Sequence, residues 1–495
     1  MCRTYAFPFS TYIMIWKTLG TTTAGKLESR SGAAIGPDKE GVSLRIASAV
    51  FARLRNEGRR LLVSRLARNA GWMFLGQGLS IVCQALHFLL LARLLGVLEY
   101  GIFVGAMAMV MIVAQYCALG SHSIFIRYVS PDHRLYSKYW GNILLTTLNI
   151  GGLCTLLVIW VGPALAHSYS RPMLASVAVA NCVFAQLTLS AGRVFQAFER
   201  MRITALLNLL TNLLRTILAA AMLGLMHRAT AVEWAFAAMV VSLIASVVAV
   251  AMVTRSFGKP ELSLRLARDR AGEGLVFALC YSTGGICNDI DKAMMGHYGM
   301  NRVNGIYSMA YRVIDVATMP LYSIQVATFP RFFKKGVASG LESTAAYATQ
   351  IIKRTAPMGI LIAAILYLVA PVIPHLVGNG FAESTAALRW LCLLPFLRSF
   401  HVGAGDALAG AGYVPLRLAT QLIAAAFNFV TNLYLIPNYG WQGAAWSSLG
   451  TDGLLAVLNW AVLLAIRSDK TLFAGAQWRS TPEKGLVEDE YSEAS

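Results

Sequence analysis

Ala205-Leu-Leu-Asn208-Leu-Leu-Thr211-Asn212-Leu-Leu-Arg215-Thr-Ile-Leu-Ala-Ala-Ala-Met-Leu-Gly-Leu-Met226 is a run of 22 residues with a single charge. An α-helix needs roughly 20 mainly apolar residues to cross a hydrocarbon core of about 30 Å, and this run supplies them. Eleven further stretches of the same kind occupy the chain between residues 70 and 466. In the first half they lie at 70–93, 100–119, 140–161, 173–196 and 234–253, and in the second at 274–297, 305–329, 352–375, 386–408, 416–437 and 443–466. The expected fold class is therefore an all-α integral membrane protein of about twelve transmembrane helices. The seventh and tenth stretches are the weakest in hydropathy, because they are Gly-rich and carry charges.

Basic connectors stay on the cytoplasmic side of a membrane. With the spans placed as above, one side collects about 27 Lys and Arg and the other about four, Arg93, Arg171, Arg228 and Arg302. An even number of spans with both termini in the cytoplasm accounts for this split. It also accounts for the net charge of +18 without a nucleic-acid partner, since the basic residues are spread over every inner connector and no nucleic-acid module is present. Seven cysteines, Cys83, Cys117, Cys154, Cys182, Cys280, Cys287 and Cys392, fall inside spans without metal-ligand spacing and read as small apolar fillers. No metal site, cofactor or catalytic residue is expected.

Residues 1–69 are different in kind. The first 41 are mixed and Gly/Ser/Thr-rich, and the apolar run Tyr5 to Trp16 lacks the flanks of a signal peptide. A disordered tail, or a start codon placed too far upstream, explains them. From Val42 to Arg68 the chain is basic and helix-periodic. Leu44, Phe51, Leu54, Leu61 and Leu62 can form a stripe beneath Arg53, Arg55, Arg59 and Arg60, suited to an anionic leaflet, or the segment is a solvated leader. Gly20-Thr-Thr-Thr-Ala-Gly25-Lys26 has phosphate-loop spacing, but Leu27 stands where a magnesium-binding hydroxyl belongs, so it is a chance match.

The quoted run has a partner six spans later. Asn208-Leu-Leu-Thr211-Asn212-Leu213 recurs as Asn428-Phe-Val-Thr431-Asn432-Leu433, and Gly96 to Gly101-Ile-Phe103 is echoed by Gly299 to Gly305-Ile-Tyr307. An even offset gives both copies the same direction through the membrane. The halves are then two parallel-related six-helix bundles, 70–255 and 273–466, joined by a cytoplasmic linker 256–272 and followed by a cytoplasmic tail 467–495.

Residues at i, i+3, i+4 and i+7 share a helix face. Asn208, Thr211, Asn212 and Arg215 obey that spacing, as do Gln77, Ser80, Gln84 and His87 on the first span and Gln421, Asn428, Thr431 and Asn432 on the eleventh. Other spans carry Asp289, Asp291 and Lys292, then Arg312 and Asp315, then Arg398, His401 and Asp406, and finally Asp452. A charge at the bilayer centre costs about 2.5–3.5 kcal/mol on insertion scales, so this many are better accommodated around a shared wet cavity than against lipid. Intramembrane charges so placed point to a transporter. Blander roles compete at each position. Arg312 with Asp315 and Asp289 with Lys292 can neutralise each other at i, i+3, Asn208 and Asn428 can join helices, and a lone intramembrane His can be a packing group.

Several stretches together resemble the polysaccharide flippases of the multidrug/oligosaccharidyl-lipid/polysaccharide exporter superfamily, whose fold is MATE-like. They are Leu91-Ala-Arg-Leu-Leu-Gly96-Val-Leu-Glu99-Tyr100-Gly101, Asp291-Lys-Ala-Met-Met-Gly296 with Gly305-Ile-Tyr307-Ser-Met-Ala310, Phe329-Pro330-Arg331, and Leu435-Ile-Pro437-Asn-Tyr-Gly440-Trp-Gln-Gly443-Ala444-Ala445. Val97 stands where such proteins usually have Pro. The resemblance implies translocation of an undecaprenyl-pyrophosphate-linked oligosaccharide across the bacterial inner membrane for exopolysaccharide or lipopolysaccharide biosynthesis, by alternating access. Membrane lipids, a polysaccharide polymerase and chain-length or export proteins are the implied partners. Guanidinium groups suit a pyrophosphate and amides suit a glycan, so Arg215, Arg312, Arg398, Asn208, Asn212, Asn428, Asn432 and Gln84 are the expected substrate-binding residues. Asp289, Asp291, Asp315, Asp406, His87 and His401 are the candidates for ion or proton coupling. A drug or cation antiporter of the same superfamily would have a more acidic interior. A polymerase would carry a large outer loop, and the outer connectors here are short.

Overall fold

The computed structural model describes residues 65–130 and 132–468, and all regular structure among them is helical. The tail with its basic stripe, the phosphate-loop match and residues 469–495 lie outside the described residues. Within lipid, backbone N–H and C=O groups have no water to bond, so an apolar segment satisfies them internally as a helix.

The first half contains α1 (Arg65–Ala114), α2 (Ser121–Val129), α3 (Tyr136–Leu165), α4 (Arg171–Ala178), α5 (Ala185–Ala197), α6 (Met201–Met226) and α7 (Ala231–Phe257). A short α8 (Leu264–Asp269) leads to the second half, which contains α9 (Ala271–His297), α10 (Asn301–Val369), α11 (Ile373–Val377), α12 (Ser384–Leu391), α13 (Leu394–Gly410), α14 (Val414–Tyr439) and α15 (Trp441–Ser468). Two of these are broken rods. Gly96 at φ 68° divides α1, and Gly340 at φ 66° divides α10, positions where a side chain would be strained. Each broken rod therefore holds two of the predicted spans.

All twelve predicted stretches fall on helix, but only eight helices among the described residues are long and apolar enough to cross a membrane by length and composition. One of the eight, Gly78–Ala114, covers most of the first two stretches. The seventh, eighth and tenth do not qualify. Asp289, Asp291 and Lys292 interrupt α9, Arg312 and Asp315 interrupt α10, and α13 is 17 residues long with Arg398 and Asp406 inside it. The stretches that miss the threshold each carry two or more of these charges, whereas α6 and α15 carry Arg215 and Asp452 and still qualify.

Packing in α7 shows how the remaining helices choose their faces. Its buried residues include Ala235, Ser242, Ala245, Ser246, Ala249 and Val253, while Phe236, Ile244 and Val247 are exposed. Small residues at three- and four-residue spacing let backbones approach, and large apolar ones suit lipid. Thr230 and Glu233 form a reciprocal cap at its start.

The two echoed glycine motifs meet. A Cβ on Gly101 would collide with the carbonyl of Asn301 and the backbone of Gly305, and one on Gly305 would collide with the carbonyl of Val97. Nearby, Tyr169 fills the space that glycine leaves at both Gly105 and Gly296, and Tyr100 packs edge-on to Phe381 at 5.8 Å. On the side rich in Lys and Arg, Gly274 lies against the carbonyl of Leu119, and Arg127 pairs with Glu273 at 2.6 Å. Chain between the halves lies along α3, where the Glu261 N–H donates to the Ser137 carbonyl at 2.9 Å.

Candidate functional site

Between the halves is a cavity of about 380 Å³. The first half supplies Gln84, His87 and Phe88 from α1, Asn181 from the segment joining α4 to α5, Asn212 and Arg215 from α6, and Trp234 and Ser242 from α7. The second half supplies Asn288, Asp289 and Lys292 from α9 and Tyr311, Arg312 and Asp315 from α10. Seven of the residues expected from sequence thus share one wall system: Gln84, His87, Asn212, Arg215, Asp289, Arg312 and Asp315.

Charge is unevenly distributed across this space. Among the described residues no acid from the first half lines it. Arg215 donates to the Ser242 hydroxyl at 3.1 Å, its Nε has no hydrogen-bond partner, and among the described residues no carboxylate pairs with it. Each basic group of the second half has a carboxylate. Arg312 reaches Asp315 at 3.6 Å while its guanidinium lies 4.8 Å from the ring centre of Phe88, on the opposite half. Lys292 reaches Asp291 at 3.2 Å and Asp289 at 4.0 Å.

The other expected residues lie outside the cavity lining. Arg398 stands behind Asp315, held by it at 3.8 Å, by Asp452 at 3.3 Å and by the Tyr311 hydroxyl at 3.1 Å. These partners come from α10 and α15, so spacing along α13 does not reveal them. His401 shares Asp452 at 3.7 Å. Asp406 is buried and paired with Arg417 at 3.0 Å. Asp291 is also buried, accepting from the Tyr307 hydroxyl at 2.5 Å. Asn428 donates to Ser447 and Thr451 at 3.3 and 3.0 Å and accepts from Asn432, so this copy of the repeated motif fastens α14 to α15. Asn208 is exposed one turn before Asn212, whose amide bonds to Ser80 across to α1.

Among the lining residues that sequence reasoning did not single out are Lys292, Asn181 and Trp234. Lys292 was visible only as one member of a local ion pair. Asn181 sits in a π-helical turn, Val179–Phe184, where an extra residue rotates the face, and helical spacing cannot anticipate that. Trp234 lies near the start of a span, where an indole reads as an interfacial anchor. It packs at a tilt against His87 with ring centres 5.5 Å apart.

Comparison with known proteins agrees with this architecture. The family described as polysaccharide biosynthesis protein matches residues 66–335. An uncharacterized membrane protein of Methanocaldococcus jannaschii is 23% identical over 224 residues, a match spanning 43% of either chain and so less than half of that relative's length. Among solved structures, the lipid II flippase MurJ in an inward closed conformation superposes with a TM-score of 0.65 at 10% identity, covering 80% of this chain and 87% of that one. A multidrug resistance MATE family transporter of the MOP superfamily, in its inward-facing conformation, gives 0.63 at 15% identity, covering 78% and 96%. At such identities the likeness is one of fold, whereas the family match takes in more than half of the sequence. The chain is a multi-pass membrane protein with a MATE-like fold, and it belongs to the polysaccharide biosynthesis protein family.

Proposed function

We propose that the protein is a flippase that moves undecaprenyl-pyrophosphate-linked oligosaccharide units from the cytoplasmic to the periplasmic leaflet of the bacterial inner membrane, with both termini in the cytoplasm. The family and the fold support a lipid-linked glycan as cargo. The observation that carries the reading is Arg215: a guanidinium on the wall of an inter-half cavity, with no acid of its own half beside it. Such a group favours an anion, and a phosphate oxygen pair matches its paired donors. Arg312, from the opposite half, is the second candidate to meet the diphosphate. Gln84, Asn181 and Asn212 offer amides, and Phe88 and Trp234 offer flat faces, which suit the first sugars.

The drug or cation antiporter reading requires an interior whose free charge is negative. Among the described residues three cationic side chains and two carboxylates line the space, and the cation with no paired carboxylate, Arg215, is in the first half. Asp289 and Asp315 remain the candidates for coupling to an ion, since they face the cavity, while Asp291 and Asp406 are enclosed by their partners. Deleting the gene and assaying the orientation of lipid-linked oligosaccharide tests the reading. It predicts accumulation of that intermediate in the cytoplasmic leaflet, and a strain that accumulates none would count against translocation.

A further inference from the structure

We propose that Lys292 binds the anionic group of the cargo, and that Asp289, the second and exchangeable acid beside it, gives way when the anion arrives and is neutral in the loaded state. The inference rests on the anionic-cargo reading above and adds a residue and a coupling step to it.

Lys292 is almost wholly buried, 5% exposed, yet it forms part of the cavity wall. An ammonium has three donors. One goes to the Asn288 carbonyl and one to Asp291 Oδ1 at 3.2 Å. For the third, the nearest carboxylate is Asp289 at 4.0 Å, beyond hydrogen-bond reach. The face of the Tyr311 ring, 4.5 Å from Nζ, covers another side and keeps the charge oriented.

The two acids beside Lys292 are not equivalent. Asp291, 2% exposed, is fixed by the Tyr307 hydroxyl at 2.5 Å and the Lys292 N–H at 2.7 Å, and Tyr307 is itself held to Ser448 at 2.9 Å. Asp289 is 24% exposed, lines the cavity, and among the described residues accepts no hydrogen bond. One carboxylate is therefore a permanent partner and the other an exchangeable one. Charged groups around Asp289 are Lys292 and Asp291 on its own helix, Arg312 and Asp315 on α10, and, from the other half, Arg215 and His87. Asp291 already balances Lys292, so Asp289 is the surplus negative charge on α9. A phosphate entering beside Lys292 repeats that charge, and like charges in a low-dielectric space repel strongly. A proton or other cation on Asp289 removes the conflict, and the third Lys292 N–H then turns to a phosphate oxygen.

The test uses the full-length chain in nanodiscs and radiolabelled undecaprenyl diphosphate, with affinity measured at pH 5.5 and pH 8. Wild type should bind more weakly at pH 8. D289N should bind about tenfold tighter than wild type at pH 8, the scale of one charge-assisted hydrogen bond, and should lose that share of the pH dependence. Ionisation of the ligand is common to all variants and cancels between them. K292Q in the D289N background should remove the gain, while Lys292→Arg in the same background should keep it, which separates loss of the cation from misfolding. If D289N binds with wild-type affinity and wild-type pH dependence while Arg215→Ala binds poorly, the exchange is wrong and the cargo reading stands. If wild type binds no undecaprenyl diphosphate, both fall.

Discussion

The two copies of the Asn-x-x-Thr-Asn-Leu motif, one in α6 and one in α14, hold different things. In α6 the motif is followed at the seventh position by Arg215, and its face turns to the cavity. In α14 the seventh position is Leu435, whose backbone lies against Gly443, and the motif's amides bond to Ser447 and Thr451 of α15. The first copy joins α6 to α1 through Asn212 and also brings Asn212 to the cavity, whereas the second only joins helices. The same division holds for charge. The second half keeps Lys292, Arg312, Arg398 and Asp452 in a chain of partners, and the first half presents Arg215 alone. A buried cation is costly without a partner, so an unpaired one at a cavity points to a partner that comes and goes.

The contrast can be broken most directly at Arg215. R215A should lower polysaccharide export about ten- to a hundredfold, the scale of losing charge-assisted bonds to phosphate, at unchanged membrane levels by immunoblot. Next in size is D452A, on the paired side. Removing one member of a buried pair costs roughly 3–5 kcal/mol, and Asp315 remains as a second acid for Arg398, so an effect at the lower end is expected as a fall in thermal stability in detergent.

How much of this was open to sequence follows the same divide. The helical spans and the face shared by Asn212 and Arg215 are properties of periodicity and length within single helices, and the structure has them on helix. Partnerships between helices are not carried by spacing. Arg398 has no acid within one turn on α13, and its two acids come from α10 and α15. Asp406, a coupling candidate by sequence, is paired with Arg417 of α14, a partner on another helix. Asn181 was hidden by a π turn that shifts the register of its helix.

Two smaller tests sharpen the comparison. Gly305→Val places a side chain where the carbonyl of Val97 lies and should hold the Gly101–Gly305 seam apart. Increased labelling of a cysteine introduced at Asn304 by a water-soluble maleimide would register this, and unchanged labelling would mean that the seam does not seal that end. Asn428→Ala removes its side-chain bonds to α15 and the one from Asn432 within α14, none of them at the cavity. It should cost about 0.6 kcal/mol, the mean for interhelical hydrogen bonds in a membrane, seen as a small shift in unfolding midpoint with export intact. A loss of export as deep as that of R215A would erase the distinction between the two copies.

The central claim is that the lone guanidinium of the first half receives an anionic, lipid-linked cargo. Purified protein in proteoliposomes, supplied with a fluorescent undecaprenyl-pyrophosphate oligosaccharide and an impermeant quencher, measures this directly. Wild type should expose the probe on the opposite leaflet, and R215A should leave it where it was loaded. Equal movement by both proteins would contradict the account.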